Sequence, residues 1–204
     1  TTTTTSPPTA ATATTALVND VVSRIQHTNS NDAPPATVTI DFAFDDKNTV
    51  NTAQGTGGDL TDTESIVVTI NAVNDAPVLV ASTPSLTGIT EDDTGAGNTG
   101  STVTALMGAD ITDPDGAVAE GIAIYATTAT NGNWQYDIGG GWLNFGAVAN
   151  NSALLLRSAD SIRFLPDGLN APLANPTFTY YAWDQSGATA GLEGTKFDTT
   201  AGGT

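Results

Sequence analysis

Oxygen chemistry dominates this chain. It carries 22 Asp and Glu against 5 Lys and Arg, a net charge of −17 in 204 residues. Cysteine is absent and there is one histidine, His27, which excludes thiolate metal sites, disulfide staples and cysteine nucleophiles. A Ser-His-Asp triad would have to use His27, and no serine and aspartate partners for it stand out. The acidic residues gather in short groups: Asn74-Asp75-Ala76-Pro77, Glu91-Asp92-Asp93, Asp113-Pro114-Asp115-Gly116 and the lone Asp184 after an aromatic run. Taken singly, Asp-Pro-Asp-Gly is a good turn, Asn-Asp-Ala-Pro a good strand terminator and Glu91-Asp92-Asp93 a solvated loop. Carboxylate and amide oxygens brought together from separate stretches would instead suit a hard divalent cation. Gly95 to Gly100 fits G-x-G-x-x-G, but it follows three acids and opens no predicted helix, so it reads as a flexible loop and not as a dinucleotide site. Trp134, Tyr136, Trp142 and Phe145 flank Gly139-Gly140-Gly141. This is a hairpin whose aromatics fill a core or, in the alternative, stack on a glycan. Asn150-Asn151-Ser152 has the pattern of a glycosylation sequon.

The elements that must position these groups are strands. Only 13% of the residues are charged and 39% are hydrophobic, so the chain is expected to fold. No apolar run is long enough to cross a bilayer, no signal peptide opens the sequence, and the acidic surface repels nucleic acid and anionic lipid. Thr1 to Thr15 reads as a Thr-rich linker. Ala16 to Gln26, with Leu17, Val21 and Ile25 four apart, predicts a short helix, with a strand as the alternative. Period-two alternation predicts a strand over Thr37–Phe44, a long hairpin connection follows over Asp45–Thr61, and a second strand is expected over Ser65–Val73. Further short strands are expected at Pro77–Val80, Leu86–Thr90, Thr102–Ala105, Gly121–Thr127, Trp134–Ile138, Ser161–Leu165 and Thr177–Asp184. With Gly, Asn, Asp and Pro clusters between them, the expected fold is an all-β antiparallel sandwich.

The two halves also match one another. Ala16-Leu17 with Arg24-Ile25 parallels Ala153-Leu154 with Ser161-Ile162. Ala43-Phe44-Asp45 parallels Ala182-Trp183-Asp184, and Gly57-Gly58 parallels Gly202-Gly203. The expectation is tandem repeats cut out of phase: residues 16–77 as the C-terminal half of one sandwich, and 78–204 as a second lacking its last strand. Such a half leaves open edges, to be completed by a longer parent chain or by a neighbouring subunit.

Ile70-Asn71-Ala72-Val73-Asn74-Asp75-Ala76-Pro77-Val78 resembles the interdomain junction of bacterial cadherin-like repeats, found in tandem in large surface adhesins. Ile89-Thr90-Glu91, Asp113-Pro114-Asp115-Gly116 and Ala182-Trp183-Asp184 follow in the family's order, as its early glutamate, its Asp-x-Asp and its Ala-x-Asp positions. The resemblance covers roughly residues 16–200. It implies an extracellular, cell-surface structural module and not an enzyme. Calcium would bind at the junction through Asn74, Asp75, Asp113, Asp115 and Asp184. By the same resemblance Glu91 would serve the next junction and Asp45 the preceding one. Ala72 stands where the vertebrate-type junction has its first acidic residue, and one residue is missing before Pro77, which implies fewer or weaker ions. The partners so implied are neighbouring repeats of the same chain. The alternatives are identical subunits that exchange strands in a filament, with the Thr-rich segment or Ser65–Val73 as donor, and a glycan held at the Trp134–Trp142 hairpin.

Overall fold

The computed structural model describes residues 15–45, 61–93, 95–116, 120–171 and 174–201. The chain divides into two compact units, Thr1–Val73 and Asn74–Thr204. Asn74-Asp75-Ala76-Pro77 therefore belongs to the second unit.

Among its described residues the first unit holds one helix and one β-ribbon. Helix α1 (Thr15–Ser23) takes the helical alternative, with Val18, Val21 and Val22 half-buried at i, i+3 and i+4. It stops before Ile25, which is exposed. Strands β1 (Thr37–Asp45) and β2 (Thr61–Thr69) pair antiparallel in unbroken register from Thr37↔Thr69 to Asp45↔Thr61. The expected hairpin connection lies outside the described residues over 46–60. Alternation puts Val38, Ile40, Phe42 and Phe44 on one face with Val68 and Ile66 directly across. Ser65 Oγ donates to Asp41 Oδ1 at 2.6 Å on the other face. β2 ends four residues earlier than the predicted Val73. The last rung, Ile70 N–H to Ala36 C=O at 2.9 Å, meets Pro34-Pro35 on the opposite strand, which has no N–H to continue the ladder.

Among the described residues the second unit is antiparallel β-structure with one short α-helix and two single-turn 3-10 helices, Gly187–Thr189 and Thr199–Ala201. Its elements are β3 (Val78–Leu79), β4 (Ser101–Thr102), α2 (Val103–Met107), β5 (Ile111–Thr112), β6 (Gly121–Thr128), β7 (Gly132–Asp137), β8 (Leu143–Asn144), β9 (Ala153–Arg157), β10 (Ser161–Pro166), β11 (Thr177–Trp183) and β12 (Lys196–Phe197). One sheet has the order β4-β10-β7-β8 and another β11-β6-β9-β12, while β3 pairs with β5. A single core joins both sheets: Ile122, Ile124, Leu154, Leu156 and Ala182 from one, Trp134, Tyr136, Ile162 and Phe164 from the other. Trp134 is its hub, edge-on to Phe164 and Phe178 at 5.4 and 5.0 Å between centroids. Its indole N–H donates to Thr128 C=O at 3.1 Å, so the buried donor is satisfied. Truncating any of the fully buried leucines to alanine is expected to cost about 2–5 kcal/mol.

Three expectations fail locally, each for a visible reason. Of Thr102–Ala105 only Thr102 is in a strand, as the end of β4, and the rest is helical: Thr102 Oγ1 accepts the Ala105 N–H at 3.1 Å, and Val103, Leu106 and Met107 bury one face of helix α2. Leu86–Thr90 forms no strand, because only Leu86 turns inward while Ile89 remains exposed. The Gly95–Gly100 loop is pinned, not free. Buried Arg163 donates from Nη1 to Gly95 C=O and Asn98 C=O (3.2 and 2.9 Å) and from Nε to Gln135 Oε1 (2.9 Å), and its guanidinium lies 4.1 Å over the Trp142 ring. Gly100 closes the loop at φ 67°, where a Cβ would sit 2.4 Å from Ile162 C=O. A helix, α2, does follow that loop, but only after β4 and with no strand leading in.

Strand β9 is missing from the sequence reading altogether. Leu154 and Leu156 face the main core, while Ala153 and Leu155 are buried on the outer face beneath Leu192 and Phe197. A strand covered on both sides has no alternation to read. Consequently Ala16-Leu17 lies in α1 and its expected counterpart Ala153-Leu154 in a strand, whereas Ala43-Phe44-Asp45 and Ala182-Trp183-Asp184 both close strands.

Candidate functional site

Two strand registers bring the acidic stretches together. β3 and β5 pair Val78↔Thr112 and Leu79↔Ile111, and continuing that register past the strand ends sets Asp75 opposite Asp115. The Asp75 N–H donates to Asp115 Oδ2 at 2.7 Å. β11 and β6 pair Trp183↔Gly121, so Asp184 leaves one strand where Glu120 enters the other. Asn74 bridges the two sets: its Nδ2 donates to Asp184 Oδ2 at 2.7 Å and to Asp75 C=O at 3.0 Å. Within the Asp-Pro-Asp-Gly turn, Asp113 Oδ1 accepts the Asp115 N–H at 2.8 Å and Asp113 C=O accepts the Gly116 N–H at 3.1 Å.

Asn74, Asp75, Asp113, Asp115 and Asp184 are thus linked within the second unit by hydrogen bonds. Asp113–Gly116 is a turn, and it holds the Asp113 and Asp115 side chains in this hydrogen-bonded network. Glu91 lies in an exposed turn outside this network, and Asp45 ends β1 in the first unit.

The electrostatics are uneven. Asp184 is 4% exposed. Burial alone would raise its carboxyl, but hydrogen bonds from Asn74 and from the N–H and hydroxyl of Ser186 (2.9 and 2.8 Å) outweigh it, and the net shift is downward. Glu120 is raised, first by burial and then by the negative charge of Asp113. Asp113 Oδ2 is buried and accepts no hydrogen bond. Glu120 is the residue that sequence reasoning missed. The signal was available: it precedes a predicted strand as Asp184 follows another, and antiparallel pairing would bring those ends together. The ion pairs Arg24–Asp20 and Arg157–Glu193 lie elsewhere. As arranged, the carboxylates face N–H donors more than one another. Among the described residues no three His, Cys, Asp or Glu side chains are grouped at metal-ligating spacing.

The chain reverses sharply after Asp184. Gln185 has φ 59° and Gly187 φ 57°, both left-handed, which turns Ser186 back onto the Asp184 carboxylate. Gln185 also lines a depression with Asp137, Arg157, Asp160 and Ser161. There Asp137 Oδ1 accepts the Gly139 and Gly141 N–H groups, and Asp160 Oδ2 accepts that of Arg157. In the aromatic hairpin, Trp134, Tyr136 and Phe145 are core residues, and Trp142 is half-buried against Arg163. A glycan platform made of Trp134 and Trp142 together is therefore not presented to solvent. His27 is exposed in a loop.

Compared with family models, with curated proteins and with solved structures, the chain matches none.

Proposed function

We propose that this chain is a structural repeat module of an extracellular bacterial surface adhesin, a cadherin-like β-sandwich made rigid by calcium. The observation that supports the reading is the convergence of Asn74-Asp75, Asp113–Asp115, Glu120 and Asp184, with the Asp113 Oδ2 oxygen buried and unpartnered. The donor set fits the ion: carboxylates, a side-chain amide and backbone carbonyls are the hard oxygens that calcium takes, and no nitrogen or sulfur ligand competes. Bound calcium would supply charge neutralisation to carboxylates that repel one another. The chain's own residues do the rest. Asn74 and Asp75 fasten the segment that enters the second unit, and Asp184 anchors it to the end of β11. An entry segment held at both points resists bending where one module follows another. This work is mechanical and requires no reaction.

The test is thermal unfolding of the full chain in chelator and in millimolar CaCl2. A higher midpoint in calcium is expected, and equal midpoints would remove calcium from the account.

A second reading, assembly of identical subunits by strand exchange, is favoured by one feature. The β1–β2 ribbon leaves apolar side chains exposed, Ile66 by 48% and Phe44 by 36%, and a two-stranded ribbon is marginal on its own. Concentration-dependent association seen in sedimentation, lost in Ile66→Lys, is expected if it holds. A monomer at all concentrations would dismiss it.

A further inference from the structure

Beyond β11 the chain does not leave the sheet. Residues 186–197 run back across its outer face and end as β12 on the far edge beside β9, with Lys196↔Leu154 and Phe197↔Ala153 paired. This strap covers a second apolar cluster, in which Leu192 and Phe197 pack against Ala123, Ala153, Leu155 and Trp183. It is sewn down by Gly194 N–H to Leu155 C=O at 2.8 Å and by Leu155 N–H to Thr195 C=O at 3.1 Å.

The strap and the acidic cluster share one hydrogen-bonded chain. The fully buried Trp183 donates its indole N–H to Thr189 Oγ1 at 2.8 Å. The Thr189 hydroxyl donates to Ser186 C=O at 2.8 Å. Ser186 donates from N–H and Oγ to the two oxygens of Asp184, and Asn74 donates to the same carboxylate. Thr189 is itself 3% exposed, so its hydroxyl has no water to fall back on.

We infer that Ser186 and Thr189 are positioning residues for the Asp184 carboxylate, and that ion binding there and seating of the strap on the outer face are linked. The inference rests on the calcium reading above and adds a second, distant consequence of it. A carboxylate held by Ser186 is pre-aimed, and the Ser186 C=O is held by both the N–H and the hydroxyl of Thr189 (3.1 and 2.8 Å), the hydroxyl being the one that Trp183 docks. Linkage is reciprocal: what loosens the strap weakens the ion, and the ion tightens the strap.

The experiment uses the full chain with CaCl2 as the only added ligand. Calcium affinity is measured by titration calorimetry, and amide hydrogen exchange is followed at Leu192, Gly194 and Thr195 with and without the ion. Saturating calcium is expected to slow exchange at these amides at least about fivefold. Thr189→Val is expected to weaken calcium binding at least about fivefold and to abolish the slowing, and Thr189→Ser, which keeps the hydroxyl, to restore both. Should Thr189→Val not fold, Ser186→Ala carries the same expectation. Calcium binding to the native chain with unchanged strap exchange overturns the linkage and leaves the calcium reading standing. So does a Thr189→Val or Ser186→Ala protein that binds as tightly as the native one. No calcium binding by the native chain overturns both.

Discussion

Replacing Asp113 by asparagine should make the protein more stable than the native one without calcium and less stable than the native one with calcium. Oδ1 of residue 113 accepts the Asp115 N–H at 2.8 Å, a role that an asparagine carbonyl keeps. Oδ2 is buried without a partner beside Glu120, whose own carboxyl is raised by burial and by the Asp113 charge. An amide in that place removes a charge and offers Glu120 a donor. A buried unsatisfied polar atom costs about 1–3 kcal/mol. Asp113 is only half-buried, so a gain of about 1 kcal/mol is expected in chelator, or about 3–5 °C in midpoint for a domain of this size. Calcium at one hundred times its dissociation constant should stabilise the native protein by about 2.7 kcal/mol, and a variant that binds one hundredfold more weakly keeps about 0.4 kcal/mol of that. The order of midpoints should therefore invert between chelator and calcium. Circular dichroism melts of both proteins in both buffers read this directly. A variant that melts below the native protein in chelator, with the same calcium increment, would refute the reasoning.

Other consequences follow from the same coordinates. Arg163→Ala should cost about 2–3 kcal/mol in urea denaturation, since it frees the Gly95 and Asn98 carbonyls and Gln135 together. Gly100→Ala should cost more than about 3 kcal/mol, because its Cβ meets Ile162 C=O and Trp142 at a left-handed φ. Asp160 is raised, first by burial, with the Arg157 N–H and charge pulling the other way. The folded form thus holds that proton more tightly than the unfolded chain does. Its contribution is present below the ordinary aspartate range and is lost as pH rises through the raised value, so Asp160→Asn should lessen the decline in stability as pH rises above the ordinary aspartate range in chelator. Hydrogen exchange should be far faster in β1 and β2 than in β6 and β9, since the ribbon keeps apolar side chains exposed and β9 is covered on both faces.

What could be read in advance follows a physical division. Strands with one covered face announce themselves by alternation, as β1 and β7 show in their burial. β9 does not announce itself, because Ala153-Leu154-Leu155-Leu156 is buried on both sides and looks the same as any apolar run. Thr102-Val103-Thr104-Ala105 is β-branched by composition, yet one hydroxyl cap and three buried side chains make it helical. Asn74, Asp75, Asp113, Asp115 and Asp184 were legible as a set only through their order along the chain. Their meeting depends on two strand registers, β3 with β5 and β11 with β6, which no local pattern encodes. Glu120 was lost for the same reason. The 186–197 strap was invisible, since its anchors Leu192 and Phe197 are single apolar residues among glycines and threonines.

The central claim is that these oxygens, and no others, bind a hard cation. Trp183 stands next to Asp184, so a terbium ion held there would be excited through the indole and would glow. The full chain should show tryptophan-sensitised terbium emission that calcium displaces, and that Asp113→Ala and Asp184→Ala each abolish. Absence of sensitised emission from the native protein, or emission that survives both substitutions, would contradict the account.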